Sequence, residues 1–103
     1  MKSSQMFHVS HRVVSIENVA DYTLRIGFDD GTAQTIDFRP ILAGEMYGPL
    51  RDLNLFRQAK IDPEVHTVVW PNSADFDPAT LHDWQECEPG FREMARRWEP
   101  VKA

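Results

Sequence analysis

Thr67-Val68-Val69-Trp70-Pro71-Asn72-Ser73-Ala74-Asp75-Phe76-Asp77-Pro78 carries a strand, a turn and the start of a helix within twelve residues. Thr67, Val68 and Val69 are β-branched and lead into Trp70, a composition that suits a pleated, half-buried strand. Pro71 has no amide to give to a ladder, so the strand stops there. Asn72, Ser73 and Asp75 carry short polar side chains that hydrogen-bond nearby backbone, the chemistry of a tight turn. Asp77-Pro78 then reads as a helix N-cap followed by proline at the first helical position, predicting a helix to about Trp84. A strand that turns directly into a helix places the chain in a mixed α+β class.

Moving toward the N-terminus, Asp62-Pro63 is a β-turn start. It predicts a hairpin between a short arm at residues 59–62 and the strand Val68-Val69-Trp70. Further back, Tyr22, Leu24, Ile26 and Phe28 alternate with Thr23, Arg25 and Gly27, the period of a strand with one buried face. Asp29-Asp30-Gly31-Thr32 follows at once, and Asp-Gly predicts a type I′ hairpin turn. The return strand spans residues 33–38, with Ile36 and Phe38 inward. Val13-Val14-Ser15-Ile16 is a further short β-branched run, bounded by a turn marked by Asn18 and Asp21.

Between the hairpins, Pro40 begins a single helical turn closed by Gly44, and residues 45–49 read as loop. A second short helix is expected at residues 52–59, capped by Asp52, with Leu55, Phe56 and Ala59 on one face. Beyond the opening stretch, Gln85-Glu86-Cys87-Glu88-Pro89-Gly90 reads as a break. Phe91, Met94, Ala95 and Trp98 then recur at helical spacing, predicting an amphipathic helix of about two turns. The expected architecture is therefore α+β: a small, mainly antiparallel, curved sheet of about five strands in two hairpins, with short helices and a C-terminal amphipathic helix. Residues 1–12 are expected to be a flexible lead-in whose Phe7 and Val9 lie at a sheet edge. Residues 13–82 form one core domain and residues 83–103 a helical tail.

With 103 residues, 42% of them hydrophobic, the chain is sized for one domain with a real core. Its formal net charge of −5 lacks the basic footprint that phosphate neutralisation demands, and it speaks equally against an anionic membrane surface. Cys87 is the single cysteine, so no intrachain disulfide forms, and a cytoplasmic setting is expected. No apolar run reaches the roughly 20 residues needed to span a bilayer.

Catalytic signatures are sparse. Cys87 lies between Glu86 and Glu88, and negative neighbours raise a thiol pKa instead of activating it. Ser10 adjoins His11 in the lead-in, and no glycine-rich phosphate loop is present. His8 and His11 are three apart, but two histidines do not define a metal site. Asp75, Asp77 and His82 are the weak metal candidates; the structural reading makes Asp77 a cap and Asp75 a ligand of the turn's amides. Trp70 is read as core. Trp84 and Trp98 are read as internal packing first and as part of an exposed patch second.

The order of these elements resembles the small prokaryotic domain-of-unknown-function family 2442. The residues that carry the likeness are Phe28-Asp29-Asp30-Gly31, Ile36-Asp37-Phe38-Arg39-Pro40-Ile41-Leu42 and Pro49-Leu50-Arg51-Asp52 with Phe56. They continue through Ile61-Asp62-Pro63-Glu64 and the Trp70–Pro78 element with Leu81. The likeness covers residues 13–82. It implies a compact α+β domain and carries no catalytic residues over; some members are similar to one half of a toxin–antitoxin-like pair. Two positions depart from the family's pattern, His66 and Ser73, where the family usually has glycine. Glycine there implies backbone with φ above zero.

The expectation is a non-catalytic protein–protein interaction module, the acidic partner of a small basic protein or of a second copy, with Trp84, Phe91, Met94 and Trp98 facing the partner. No cofactor is expected. The alternative is a small metal-binding protein or enzyme using Asp75, Asp77 and His82. Transcription-related DNA binding through Arg92, Arg96 and Arg97 comes third, because the net charge opposes it.

Overall fold

The alternation read at residues 22–28 builds β2 (Thr23–Phe28), held between β1 (Val13–Ala20) and β3 (Ala33–Asp37) in an antiparallel sheet of order β1-β2-β3. Leu24, Ile26 and Phe28 are buried while Arg25 faces water, as the period of two requires. The computed structural model describes residues 11–98, so the edge placement of Phe7 and Val9 lies outside the described residues, as does the Trp98 side chain.

β1 runs past the expected turn at Asn18, to Ala20. Its register against β2 shifts twice, between Val13 and Ser15 and between Asn18 and Ala20. Each shift leaves an extra residue out of the pairing, and those residues are Val14 and Val19, 58% and 45% exposed. Opposite Ser15 sits Gly27, where any Cβ would collide with the Ser15 hydroxyl. The β1–β2 connection is also tight: Tyr22 takes φ 57°, unusual for a bulky side chain. Its hydroxyl donates to the Arg51 carbonyl at 2.5 Å and its ring meets Phe56 edge-on at 5.6 Å, which holds it there.

The β2–β3 hairpin forms as read, but its turn is not type I′. Gly31 N donates to the Phe28 carbonyl at 3.0 Å and Phe28 N to the Thr32 carbonyl at 2.9 Å. Gly31 has φ 87° while Asp30 stays out of the positive-φ region, whereas type I′ needs both residues there. The loop is thus the three-residue Asp29-Asp30-Gly31, with glycine supplying the left-handed position.

The second hairpin pairs β4 (Lys60–Ile61) with β5 (Val68–Val69), and this is a separate two-stranded sheet. The expected sheet of about five strands is therefore divided: no sheet among the described residues exceeds three. Asp62 starts the connecting turn by accepting Glu64 N at 2.7 Å and Val65 N at 3.1 Å, and these bonds lower its pKa. His66 closes the turn at φ 56°.

Residues 39–51 are more helical than read. Arg39–Ile41 is a 3₁₀ turn with Pro40 in its first positions. The residues expected as loop form α1 (Gly44–Tyr47) and a second 3₁₀ turn, Gly48–Arg51. α2 (Leu53–Phe56) is shorter than expected but capped as expected, with Asp52 accepting Asn54 N at 3.0 Å. α3 (Pro78–His82) ends before Trp84, and α4 (Trp84–Trp98) begins after one intervening residue. α4 passes through Pro89-Gly90, so the predicted break is absent. Pro89 has no amide to give to the carbonyl four residues back, that of Gln85, a residue on the exposed side of the helix.

All elements face one core. Phe38 is fully buried, with ring centroids 5.8 Å from Phe56, 5.9 Å from Trp70, 5.4 Å from Phe76 and 5.5 Å from Trp84.

Candidate functional site

The turn after β5 shows how the acids of the opening stretch are used. Trp70 N donates to the Ala74 carbonyl and Ser73 N to the Trp70 carbonyl, both at 2.9 Å, with Ser73 at φ 72°. Asn72, not Asp75, is the side chain that accepts the turn's amide, Ala74 N, at 3.2 Å. Asn72 also donates to the Met46 carbonyl at 3.0 Å, tying the turn to α1. Asp75 contributes its backbone carbonyl, which accepts from the Tyr47 hydroxyl at 2.8 Å. Asp77 caps α3 by accepting Ala79 N at 2.9 Å. Trp70 is buried, and its indole N–H donates to the Phe56 carbonyl at 2.9 Å.

His82, the third metal candidate, is engaged elsewhere. α3 carries it to the β2–β3 loop, where its Nε2 lies 2.7 Å from Asp30 Oδ2, while its Nδ1 lies 2.9 Å from Asp83 Oδ1. The His11 ring stacks on it at 3.6 Å and 9°, and Phe28 meets it edge-on at 5.0 Å. Gln34 donates to the His82 carbonyl at 2.6 Å, securing the helix end to β3. His11, Asp30 and His82 offer ligand atoms within 4.8 Å of one another, and it is this group, not Asp75 and Asp77, that the fold gathers around His82.

The charges here follow from hydrogen bonds. Asp30 is held far below the ordinary carboxylate pKa, chiefly because the Thr32 hydroxyl and amide donate to Oδ1 at 2.6 and 3.0 Å, and then through His82. His82 is raised above its ordinary 6.5, first by Asp83 and then by Asp30, against the opposing cost of burial. Each ring nitrogen thus faces a carboxylate oxygen, an arrangement that favours the protonated ring.

Sequence reasoning missed this group because its members are far apart in the chain. His11 was grouped with the lead-in and Asp30 with turn formation. His82 was singled out as a metal candidate, but with Asp75 and Asp77, its neighbours in sequence, as the partners.

On α4, Trp84 is 7% exposed and stacks with the half-buried Phe91 at 5.6 Å, and Phe91 meets Phe76 at the same distance. These two expected partner residues are thus engaged by the chain's own core. Met94, 43% exposed, presents to water. The outer face carries the ion pairs Glu88–Arg92 at 2.5 Å and Glu93–Arg97 at 3.7 Å, together with a Glu93–Arg96 pair. Cys87 is half-buried, and its thiol is pushed up by burial and then by Asp83, Glu86 and Asp77, which leaves it a poor nucleophile. An open, mostly apolar cleft of about 510 Å³ lies along Ala43, Gly44, Glu45, Met46 and Tyr47. No described helix is long and apolar enough to cross a membrane.

The observation that places the chain is a family model, described as a protein of unknown function (DUF2442), which matches residues 13–86. The chain belongs to the DUF2442 family. The match begins at the first residue of β1 and ends within α4, so the DUF2442 domain takes in both hairpins, the Trp70–Pro78 turn and α3. His66 and Ser73, the two departures from the family's glycines, both adopt positive φ. No curated protein and no solved structure matches the chain.

Proposed function

We propose that this DUF2442 domain is a non-catalytic interaction module that receives an extended, basic segment of a partner protein along β1. The observation that carries the reading is the edge of the three-stranded sheet. From Glu17 to Ala20 every residue of β1 is exposed, and the bulges turn Val14 and Val19 out to water. An exposed sheet edge bearing apolar side chains is a template for strand addition, in which main-chain bonds supply affinity and alternate side chains specificity. The net charge of −5 selects a basic segment over an acidic one. Asp77 serves as a helix cap and Asp62 as a turn ligand.

The test is capture from native extract with mass-resolved sizing, using the wild type and a Val14→Lys/Val19→Lys double variant. Both positions are exposed, so the variant is expected to keep the wild-type thermal midpoint. The wild type should retain a basic protein at low salt, lose it as salt rises, and the variant should not retain it. Equal retention by the variant, no retained protein at all, or self-association in place of a basic partner would overturn the reading.

A further inference from the structure

Three segments distant in sequence bring nitrogen and oxygen donors to one place at the end of the three-stranded sheet. His11 arrives just ahead of β1, Asp30 from the β2–β3 loop, and His82 from the last turn of α3. Two imidazoles and a carboxylate are a donor set suited to zinc-class ions, with the hard cations calcium and magnesium preferring oxygen alone.

A second observation separates this group from a chance meeting of polar side chains. His82 Nδ1 faces Asp83 Oδ1 at 2.9 Å. A histidine that ligates a metal through one nitrogen characteristically donates the other N–H to a carboxylate, which fixes its tautomer and raises its basicity. Asp83 does this for His82 and leaves Nε2 as the ligating atom. The opposing carboxylate is equally well held, since Thr32 donates twice to Asp30 Oδ1 and so leaves Oδ2 directed at Nε2.

We propose that His11, Asp30 and His82 bind one divalent transition-metal ion of the zinc class, with Asp83 orienting His82 from behind. The ion takes the place of the proton shared by His82 Nε2 and Asp30 Oδ2. Those atoms stand 2.7 Å apart, and two ligands of a tetrahedral ion sit roughly 3.4 Å apart at zinc bonding distances, so the pair opens slightly on binding. His11 moves more. Parallel rings 3.6 Å apart direct their lone pairs side by side, so His11 turns out of the stack to aim a nitrogen at the ion. His11 is half-buried and lies ahead of β1, outside the strand pairing. The bound ion would tie the start of β1, the hairpin loop and α3 together, with room for an outside ligand in the fourth position.

The experiment is calorimetric titration of the full chain with zinc chloride at pH 7.5, followed by NMR of the histidine ring protons, with calcium chloride as the comparison. His11→Ala is the primary variant because it leaves the His82–Asp30–Asp83 contacts in place; Asp30→Asn is the second. The expected result is one zinc per chain, with shifts at both His11 and His82 and no calcium binding. Affinity should fall at least tenfold in His11→Ala and in Asp30→Asn. Absence of saturable one-to-one binding, unchanged affinity in a folded His11→Ala chain, or equal binding of calcium would overturn the proposal.

Discussion

Ser73 and His66 hold φ of 72° and 56°, in the left-handed region that a side chain enters at a cost. Both angles serve their turns, since they swing the next residue's carbonyl back, that of Ala74 to Trp70 N and that of Thr67 to Asp62 N. Ser73 is exposed and has no steric advantage there. A non-glycine left-handed residue costs about 1–2 kcal/mol, and glycine returns about 0.5–1 kcal/mol of that through unfolded-chain entropy. Ser73→Gly is therefore expected to raise stability by up to about 1 kcal/mol, and Ser73→Val to lower it, in urea denaturation. A destabilised glycine variant would refute the strain account. The resemblance implied positive φ at these two positions through the glycine usual there, while the residues themselves, histidine and serine, do not announce it. Nothing local in Asp21-Tyr22-Thr23 announces a left-handed aromatic either, and Tyr22 is held by Arg51 and Phe56 from elsewhere in the chain.

At the scale of elements, α4 contains the least expected feature. Pro89 and Gly90 are the two poorest helix formers, and local propensity alone ends a helix there. The helix persists because Trp84, on one side of the pair, and Phe91 and Ala95, on the other, all pack inward. Burial of that apolar stripe outweighs the propensity cost, the usual source of helix stability in a folded domain. Gly90 keeps its penalty, and a Cβ built on it meets nothing within 4 Å. Gly90→Ala is thus expected to stabilise the domain by about 0.5–1 kcal/mol in thermal or urea unfolding. If the substitution is neutral and helicity by circular dichroism does not rise, α4 is interrupted in solution. The bulges of β1 follow the same logic. Val13 and Val14 are both β-branched, and pairing in the core register buries the first and expels the second.

Across the whole molecule, one aromatic cluster joins both sheets to α2 and α4, with Phe38 at its centre. Removing a fully buried phenylalanine costs about 3–5 kcal/mol, a large share of the 5–15 kcal/mol typical of a domain. Phe38→Ala is expected to lower stability by that amount and to shift the emission of Trp70 and Trp84, whose rings it touches. A loss below about 1 kcal/mol would mean that the two sheets and α4 do not share a core. Local sequence carries the α+β class, both hairpins, the caps at Asp52 and Asp77, and the inward face of β2. Each of these is written in neighbouring residues, as a period of two, a cap or a turn former, and so is readable locally. The tertiary structure alone divides the strands into two sheets, runs α4 through Pro89-Gly90 and turns Phe91 against the chain's own core. It alone brought His11, Asp30 and His82 together. Those outcomes depend on contacts between residues far apart in the chain, where burial and charge pairing set the result and local propensity does not.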